Sequence, residues 1–348
     1  MNPFVTTLLL TGLGLGTTIT LSSSHWLLAW MGLEINTLAI IPLMARRHHP
    51  RAAEAATKYF LAQATASAMI LFAGMTNAWI TGEWHTQQVA HPLPTTMITL
   101  AIALKIGLAP LHSWLPEVLQ GLELATGLIL STWQKLAPFA ILFQIQPTSP
   151  DLLMTMGLLS TLIGGWAGLN QTQLRKILAY SSIAHLGWAV LILQLSPSIA
   201  LLTLIIYFIM TFSTFMVFKL NNAMNINSLA TSWTKVPIMA ALSPLILLSL
   251  GGLPPLSGFM PKWLILEELT KQEMGAMATM VALSALLSLY FYLRLSYAMA
   301  LTMFPLNITA SAPWRFIQNQ LSLPLAISTT LTILLLPMTP TTTSLLTL

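Results

Sequence analysis

Runs of apolar residues, each near the roughly 20 that an α-helix needs to cross a bilayer, recur along almost the whole chain. Eleven can be read: 3–21, 25–45, 59–81, 95–115, 122–145, 152–169, 174–195, 198–220, 237–259, 275–303 and 322–337. They lack the period-two alternation of a membrane β-strand, which excludes a β-barrel. The connections are short, as at Ser22–Ser24, Ser196–Pro197 and Gln146–Asp151, and none could hold a soluble domain. Only 7% of the 348 residues are charged, against roughly 25% in a soluble domain, and the mean hydropathy is +0.77. A soluble globular protein, a disordered chain and a nucleic-acid binder are thereby excluded. The expected fold is an all-α polytopic membrane protein of eleven transmembrane helices, forming one transmembrane domain over 1–348.

Charge sets the expected topology. With the N-terminus inside, the inside loops hold Arg46, Arg47, Arg51, Lys58, Arg175, Lys176, Lys219, Lys235 and Arg315, and the outside loops hold only Lys271. Nine against one is a strong positive-inside signal, and it places the C-terminus outside. The remaining four basic residues, Lys105, Lys135, Lys262 and Arg294, fall inside or beside apolar stretches. No Lys or Arg precedes Arg46, so the basic segment of a secretory signal and the Arg-rich face of a transit peptide are missing. The chain is expected to insert through its own first helices. It contains no Cys, which rules out disulfides, thiolate zinc sites and cysteine-bound iron–sulfur clusters.

An internal repeat interrupts two of the stretches. Gly107-Leu-Ala-Pro110-Leu-His-Ser-Trp114-Leu-Pro116-Glu117 aligns without gaps on Gly252-Leu-Pro-Pro255-Leu-Ser-Gly-Phe259-Met-Pro261-Lys262, at an offset of 145. Gly and Pro within an apolar span break the helix and free backbone carbonyls. One copy runs from outside to inside and the other from inside to outside. Inverted pairs of broken helices, here near 95–117 and 237–262, point to an ion or substrate site in a transporter. Two unrelated proline kinks are the structural alternative.

Charge within the spans is the most informative chemical feature. Glu34, Lys105, Lys135 and Lys262 are the candidates for a proton relay. Each lysine near the bilayer centre costs roughly 2.5–3.5 kcal/mol on insertion scales, a burden that argues for a role. Snorkelling or a static ion pair is the alternative, and Lys262, nearest a helix end, is the most open to it. Desolvation disfavours the charged form of a buried lysine, whereas a nearby carboxylate favours it. A lysine whose carboxylate partner moves is therefore a proton switch, and Glu34 is the only acidic residue deep in a stretch. Glu123, Gly127, Ser131 and Lys135 recur every four residues and would share one helix face. His112 within the first break, and His185 one turn beyond Ser181 with Ser182 adjacent, add candidate relay groups. The alternative for the hydroxyls is back-bonding to their own helix, and for the histidines a packing role. Gly12 and Gly16 read as a small-residue helix contact rather than a nucleotide loop. His48, His49, His85 and His91 have no metal-ligand spacing, and the sequons at Asn170 and Asn307 fall on the expected inside.

Lys105-Ile-Gly-Leu-Ala-Pro-Leu-His112-Ser-Trp-Leu-Pro-Glu117, Ser131-Thr-Trp-Gln-Lys135-Leu-Ala-Pro138, Tyr180-Ser-Ser-Ile-Ala-His185 and Gly251-Gly-Leu-Pro-Pro-Leu-Ser-Gly-Phe-Met-Pro-Lys262 resemble the antiporter-like subunits of respiratory complex I, over roughly 30–270. Glu34 resembles the glutamate that full-length members carry in their fifth helix, but here it lies in the second stretch. Three N-terminal helices therefore look absent, as in animal mitochondrial members, and a neighbouring subunit is the natural cover for the exposed flank. The resemblance implies a mitochondrial inner-membrane subunit of the proton-pumping arm, with the N-terminus in the matrix and the C-terminus in the intermembrane space. It implies a charged axis of Glu34, Lys105, Lys135 and Lys262, and an obligate hetero-oligomer with other membrane-arm subunits in the lipid bilayer. It also implies no cofactor or metal in this chain, with NADH, flavin, iron–sulfur clusters and ubiquinone on other subunits. A stand-alone cation/proton antiporter and a structural membrane scaffold are the competing readings.

The absence of Cys makes the topology testable with single cysteines at Ser23, Ala53, Gln88 and Asn227. Positions 53 and 227 are expected to react with a membrane-impermeant maleimide from the inside, and 23 and 88 from the outside. Labelling of 53 and 227 from opposite faces would contradict the inverted pairing.

Overall fold

The structure, a computed structural model, describes residues 2–45, 49–89, 91–145, 150–230, 232, 237–300 and 322–347. Arg46, Arg47, His48, Lys235, Arg315, the sequon at Asn307 and the connection at 146–149 lie outside them. The described residues are helical apart from turns and two isolated antiparallel bridges, His25–His85 and Gln173–Asn225. They group into two compact units, residues 1–156 and 157–348.

The first unit contains α1 (Pro3–Ser22), α2 (Trp26–Met44), α3 (Pro50–Thr81), α4 (Pro92–Ile106), α5 (Trp114–Gly121), α6 (Leu124–Ser131) and α7 (Trp133–Gln144). Proline opens α1, α3 and α4, where its missing N–H forfeits no helical bond and its fixed φ suits the first turn. Asn2, His49 and His91 cap these three helices from the preceding position. α1 and α2 approach closely through glycine. A Cβ on Gly32 would lie 2.8 Å from Gly16 O, and one on Gly16 would lie 2.8 Å from Gly32 O. Gly12 is less critical, because a Cβ there would meet Ala39 at an ordinary 3.6 Å. The expected glycine contact is therefore centred on Gly16 and Gly32. α3 packs against α2, α4 and α5, and α7 packs against α1, α2 and α4.

The stretch at 122–145 was expected to be one helix, but it is two. The chain departs from helical geometry at Thr132, with φ −114° and ψ −72°. The Thr132 hydroxyl bonds back to Leu128 O at 2.8 Å, and Pro138 deprives the carbonyl four residues earlier of its donor. The every-four register from Glu123 to Lys135 is thus broken between Ser131 and Lys135, so these residues do not form one continuous face.

α8 (Pro150–Gly168) runs across the division between the units. The second unit continues with α9 (Leu174–Ile192), α10 (Pro197–Leu220), α11 (Ile226–Ala230), α12 (Pro237–Gly251), α13 (Phe259–Lys271), α14 (Gly275–Ala300), α15 (Ser322–Leu334) and α16 (Thr339–Thr347). α9 is buried on nearly every side from Ser181 to Ile192. It packs on α10, α13 and α14, while α12 packs on α10, α14 and α15. Small residues again set the closest approach: a Cβ on Gly164 would lie 2.7 Å from Ala184 N.

By length and apolar composition, five described helices could cross a membrane unaided: α1, α2, α3, α10 and α14. A sixth forms if Leu323–Leu334 and Leu336–Ser344, bent by 70°, count as one. α4 and α12 fall short at 15 residues each because the chain leaves the helix at the repeated motif. Ser23 is buried whereas Ser24 is exposed, so Ser24 is the better labelling position.

Gly32→Val would push a branched side chain into the α1 backbone, an overpacking that costs about 1–3 kcal/mol. It is expected to lower the thermal midpoint of the assembled protein. Gly14→Ala, whose Cβ would meet nothing within 4 Å, is expected to leave it unchanged.

Candidate functional site

The two copies of the repeat fold alike. α4 ends at Gly107 with φ +84°, and α12 ends at Gly252 with φ +77°. These left-handed positions favour glycine. Each end is closed by the same backbone bond: Leu108 N donates to Ala103 O at 2.9 Å, and Leu253 N donates to Leu248 O at 3.3 Å. The following helices start at Trp114 and Phe259, again 145 positions apart. The copies differ in how the remaining carbonyls are satisfied.

In the first unit the donors are neutral. Trp114 Nε1 donates to Leu104 O at 3.0 Å, and the buried Gln63 of α3 donates Nε2 to Lys105 O at 3.3 Å. Tyr59 packs edge-on against Trp114, with ring centroids 5.7 Å apart. These contacts hold the last turn of α4 and leave the Lys105 side chain out of the capping. Lys105 is 5% exposed, and its Nζ has no hydrogen-bond partner among the described residues. Glu34 Oε2 on α2 is likewise without one, and Glu34 lies within electrostatic reach of both Lys105 and Tyr59. Lys105 Nζ and Glu34 Oε2 are thus two buried polar atoms that no hydrogen bond locks among the described residues.

Lys135 is 3% exposed, on α7, which packs against α4. The two residues before it pin that helix: Gln134 Nε2 donates to Asn36 O at 3.2 Å, and Trp133 Nε1 donates to Leu13 O at 3.4 Å. Ser131 is buried, but its hydroxyl donates to Leu128 O at 3.0 Å. Glu123 is half-buried at the N-cap of α6, where its carbonyl accepts from Gly127 N at 2.8 Å. His112 is half-buried in the break, with Nδ1 3.2 Å from Pro110 O. Glu117, which the repeat aligns with Lys262, forms an exposed pair with Lys58 at 2.8 Å.

In the second unit the lysine itself is the cap. Lys262 is 8% exposed, and its Nζ donates to Gly251 O at 2.7 Å and lies 5.9 Å from the centre of the Trp188 ring. Snorkelling, the alternative to which Lys262 looked most open, does not describe this buried side chain. Gly252 permits the approach, because a Cβ there would lie 2.8 Å from Lys262 Nζ. His185 packs on Tyr207 with ring centroids 5.7 Å apart. Ser181 and Ser182 donate to Leu178 O and Ala179 O, both at 2.8 Å, which is the back-bonding alternative. Arg294 caps a carbonyl just beyond α8, donating to Leu169 O at 2.8 Å. Among the described residues no group of three or more His, Asp or Glu could hold a metal ion.

Gln63, Gln134 and Trp188 were not singled out in the sequence, and Trp114 was read there only as the aromatic position of the repeat. A polar Gln within an apolar run, as at 63 and 134, is the one available signal.

Residues 23–288 match the family described as NADH:quinone oxidoreductase/Mrp antiporter, TM, and residues 289–343 match NADH dehydrogenase subunit 2 C-terminus. The chain is 69% identical over 349 residues to NADH-ubiquinone oxidoreductase chain 2 of Salmo salar, covering 100% of both chains. It is 70% identical over 340 residues to the protein of the same name from Tetraodon nigroviridis, covering 98% of both. Among solved structures it is similar to a chain of respiratory complex I from Thermus thermophilus. The two are 28% identical with a TM-score of 0.81, over 97% of this chain and 80% of that one.

Trp114→Phe keeps the ring and removes the donor to Leu104 O. A buried carbonyl left without its partner costs about 1–3 kcal/mol, so the thermal midpoint of the assembled protein is expected to fall. Trp133→Phe, which loses a longer 3.4 Å bond, is expected to lower it less.

Proposed function

This chain belongs to the NADH:quinone oxidoreductase/Mrp antiporter family, with the NADH-ubiquinone oxidoreductase chain 2 proteins, and we propose from that footing how its buried charges work. It is an antiporter-like membrane-arm subunit of respiratory complex I, a multi-subunit enzyme. Its role in that enzyme is redox-driven proton translocation, with Glu34, Lys105, Lys135 and Lys262 as the groups that hold and pass the proton. Glu123, Ser131, His112 and His185 are candidate intermediates along the way.

The chain sits in the mitochondrial inner membrane with its N-terminus in the matrix and its C-terminus in the intermembrane space. It crosses eleven times, with the helices interrupted at 107–113 and 252–258 as an inverted pair. It carries no redox group of its own; NADH, flavin, iron–sulfur clusters and ubiquinone bind other subunits. It is an obligate hetero-oligomer, and neighbouring membrane-arm subunits and lipid cover its apolar outer faces.

The observation that supports this reading best is the buried Lys105 Nζ, without a hydrogen-bond partner among the described residues and within electrostatic reach of Glu34. With Glu34 ionised and near, Lys105 keeps its proton. When an electrostatic or conformational event draws Glu34 away, desolvation favours the neutral amine and the proton leaves toward Lys135 and then Lys262. Moving one charge against the membrane potential costs about 2.3 kcal/mol per 100 mV, which the redox reaction must supply.

Lys105→Ala removes the carrier and leaves Glu34 uncompensated, and is expected to reduce coupled turnover severely. Lys105→Arg keeps the charge, but its guanidinium does not release a proton in proteins. It is expected to assemble and yet pump poorly. The measurement is NADH-driven proton uptake in proteoliposomes, normalised to assembled enzyme. A wild-type proton-to-electron ratio in the Arg variant would make Lys105 a fixed charge and overturn the relay.

A further inference from the structure

A cavity of about 420 Å³ lies against Lys262, walled by Trp188, Gly251, Trp263, Ala285 and Leu289. Small-ligand sites span about 300–1,000 Å³, so the volume is ample for one molecule. Every lining side chain except that of Lys262 is apolar or aromatic. The cavity opens outward between α13 and α14, where Trp263 and Leu286 are each 60% exposed.

Lys262 presents a charge to this apolar space. An ammonium has three donors, and Gly251 O takes one of them. Among the described residues no carboxylate pairs with it. A nine-tenths-buried ammonium with donors to spare, beside an apolar slot open to the surroundings, selects a ligand with an anionic end and an apolar body.

Depth decides which amphiphile fits. Lys262 lies nine residues before Lys271 on α13, about 13 Å along the helix axis. Lys271 pairs at 3.0 Å with Glu267 and with Glu268 in an exposed cluster that marks the aqueous level. A phospholipid would have to draw its phosphate, glycerol and second chain down by that distance. A carboxylate on a single chain is small enough to lie at that depth beside Lys262. We propose that this cavity binds one free long-chain fatty acid, with its carboxylate on Lys262 Nζ and its acyl chain along Trp263, Ala285 and Leu289. The carboxylate accepts what the ammonium has left to donate, and charge-assisted bonds of this kind are the strong ones. The proposal stands on the geometry of α9, α12, α13 and α14 and does not rest on the relay.

The test uses the intact assembled enzyme and varies the ligand. Purified complex containing this chain is irradiated with a diazirine-bearing palmitate, and the adducts are mapped by peptide mass spectrometry. Adducts are expected within residues 259–289, and excess palmitate is expected to abolish them. Methyl palmitate and palmitoyl-lysophosphatidylcholine, which cannot offer a carboxylate, are expected to compete about tenfold or more weakly. Equal competition by the methyl ester would show that the slot reads only the chain, and would overturn the proposal. Competition by the lysophospholipid as strong as by palmitate would make it a headgroup-lipid site, with the same consequence. Absence of adducts from 259–289 would also overturn it. Proton uptake by the same preparation, measured separately, reports on the relay and is independent of these outcomes.

Discussion

A backbone carbonyl stranded in hydrocarbon costs several kcal/mol, and the surroundings of Lys105 and Lys262 follow from how this chain meets that cost. Two helices stop in mid-stretch, at Gly107 and Gly252, and both stops leave carbonyls that the helix no longer satisfies. In the first copy an indole and an amide answer them, from Trp114 and Gln63. In the second the answer is an ammonium, from Lys262 to Gly251. The repeat is therefore symmetric in backbone and asymmetric in chemistry. Where neutral donors do the capping, the Lys105 side chain takes no part in it. Where lysine does the capping, its charge is tied to the break, and any change in its protonation acts directly on the end of α12.

The same economy of close packing runs through both units. Gly16 against Gly32, and Gly164 against α9, let backbones approach to distances that a Cβ would forbid. Trp133 and Gln134 fix the first turn of α7 on α1 and α2 by side-chain bonds to Leu13 O and Asn36 O.

Much of this was legible in the residues themselves. α1, α2 and α10 lie within one residue of the apolar stretches that announced them, because length and hydropathy are what a membrane helix requires. The ends of α4 and α12 beside Gly107 and Gly252 carry a legible signal, because Gly and Pro inside an apolar stretch disfavour a continuing helix. Burial of Lys105, Lys135 and Lys262 followed from their apolar surroundings. The first two turns of α3 were missed, because hydropathy does not see a polar, Pro-initiated helical start. The interruption at Thr132 was missed because a proline six residues later does not announce where the register will slip. Gln63 was invisible as a cap for a different reason: it lies 42 residues from the carbonyl it serves, and periodicity along one helix carries no information about another.

The central claim is that Glu34 and Lys105 act as one coupled unit, and a double-mutant cycle measures it most directly. Glu34→Gln, Lys105→Met and the double variant would each be compared with wild type for protons pumped per electron in assembled enzyme. The account predicts strong non-additivity: the double variant should pump no worse than the weaker single variant, because either substitution already disables the pair. Additive losses would show that the two residues act independently and would contradict it.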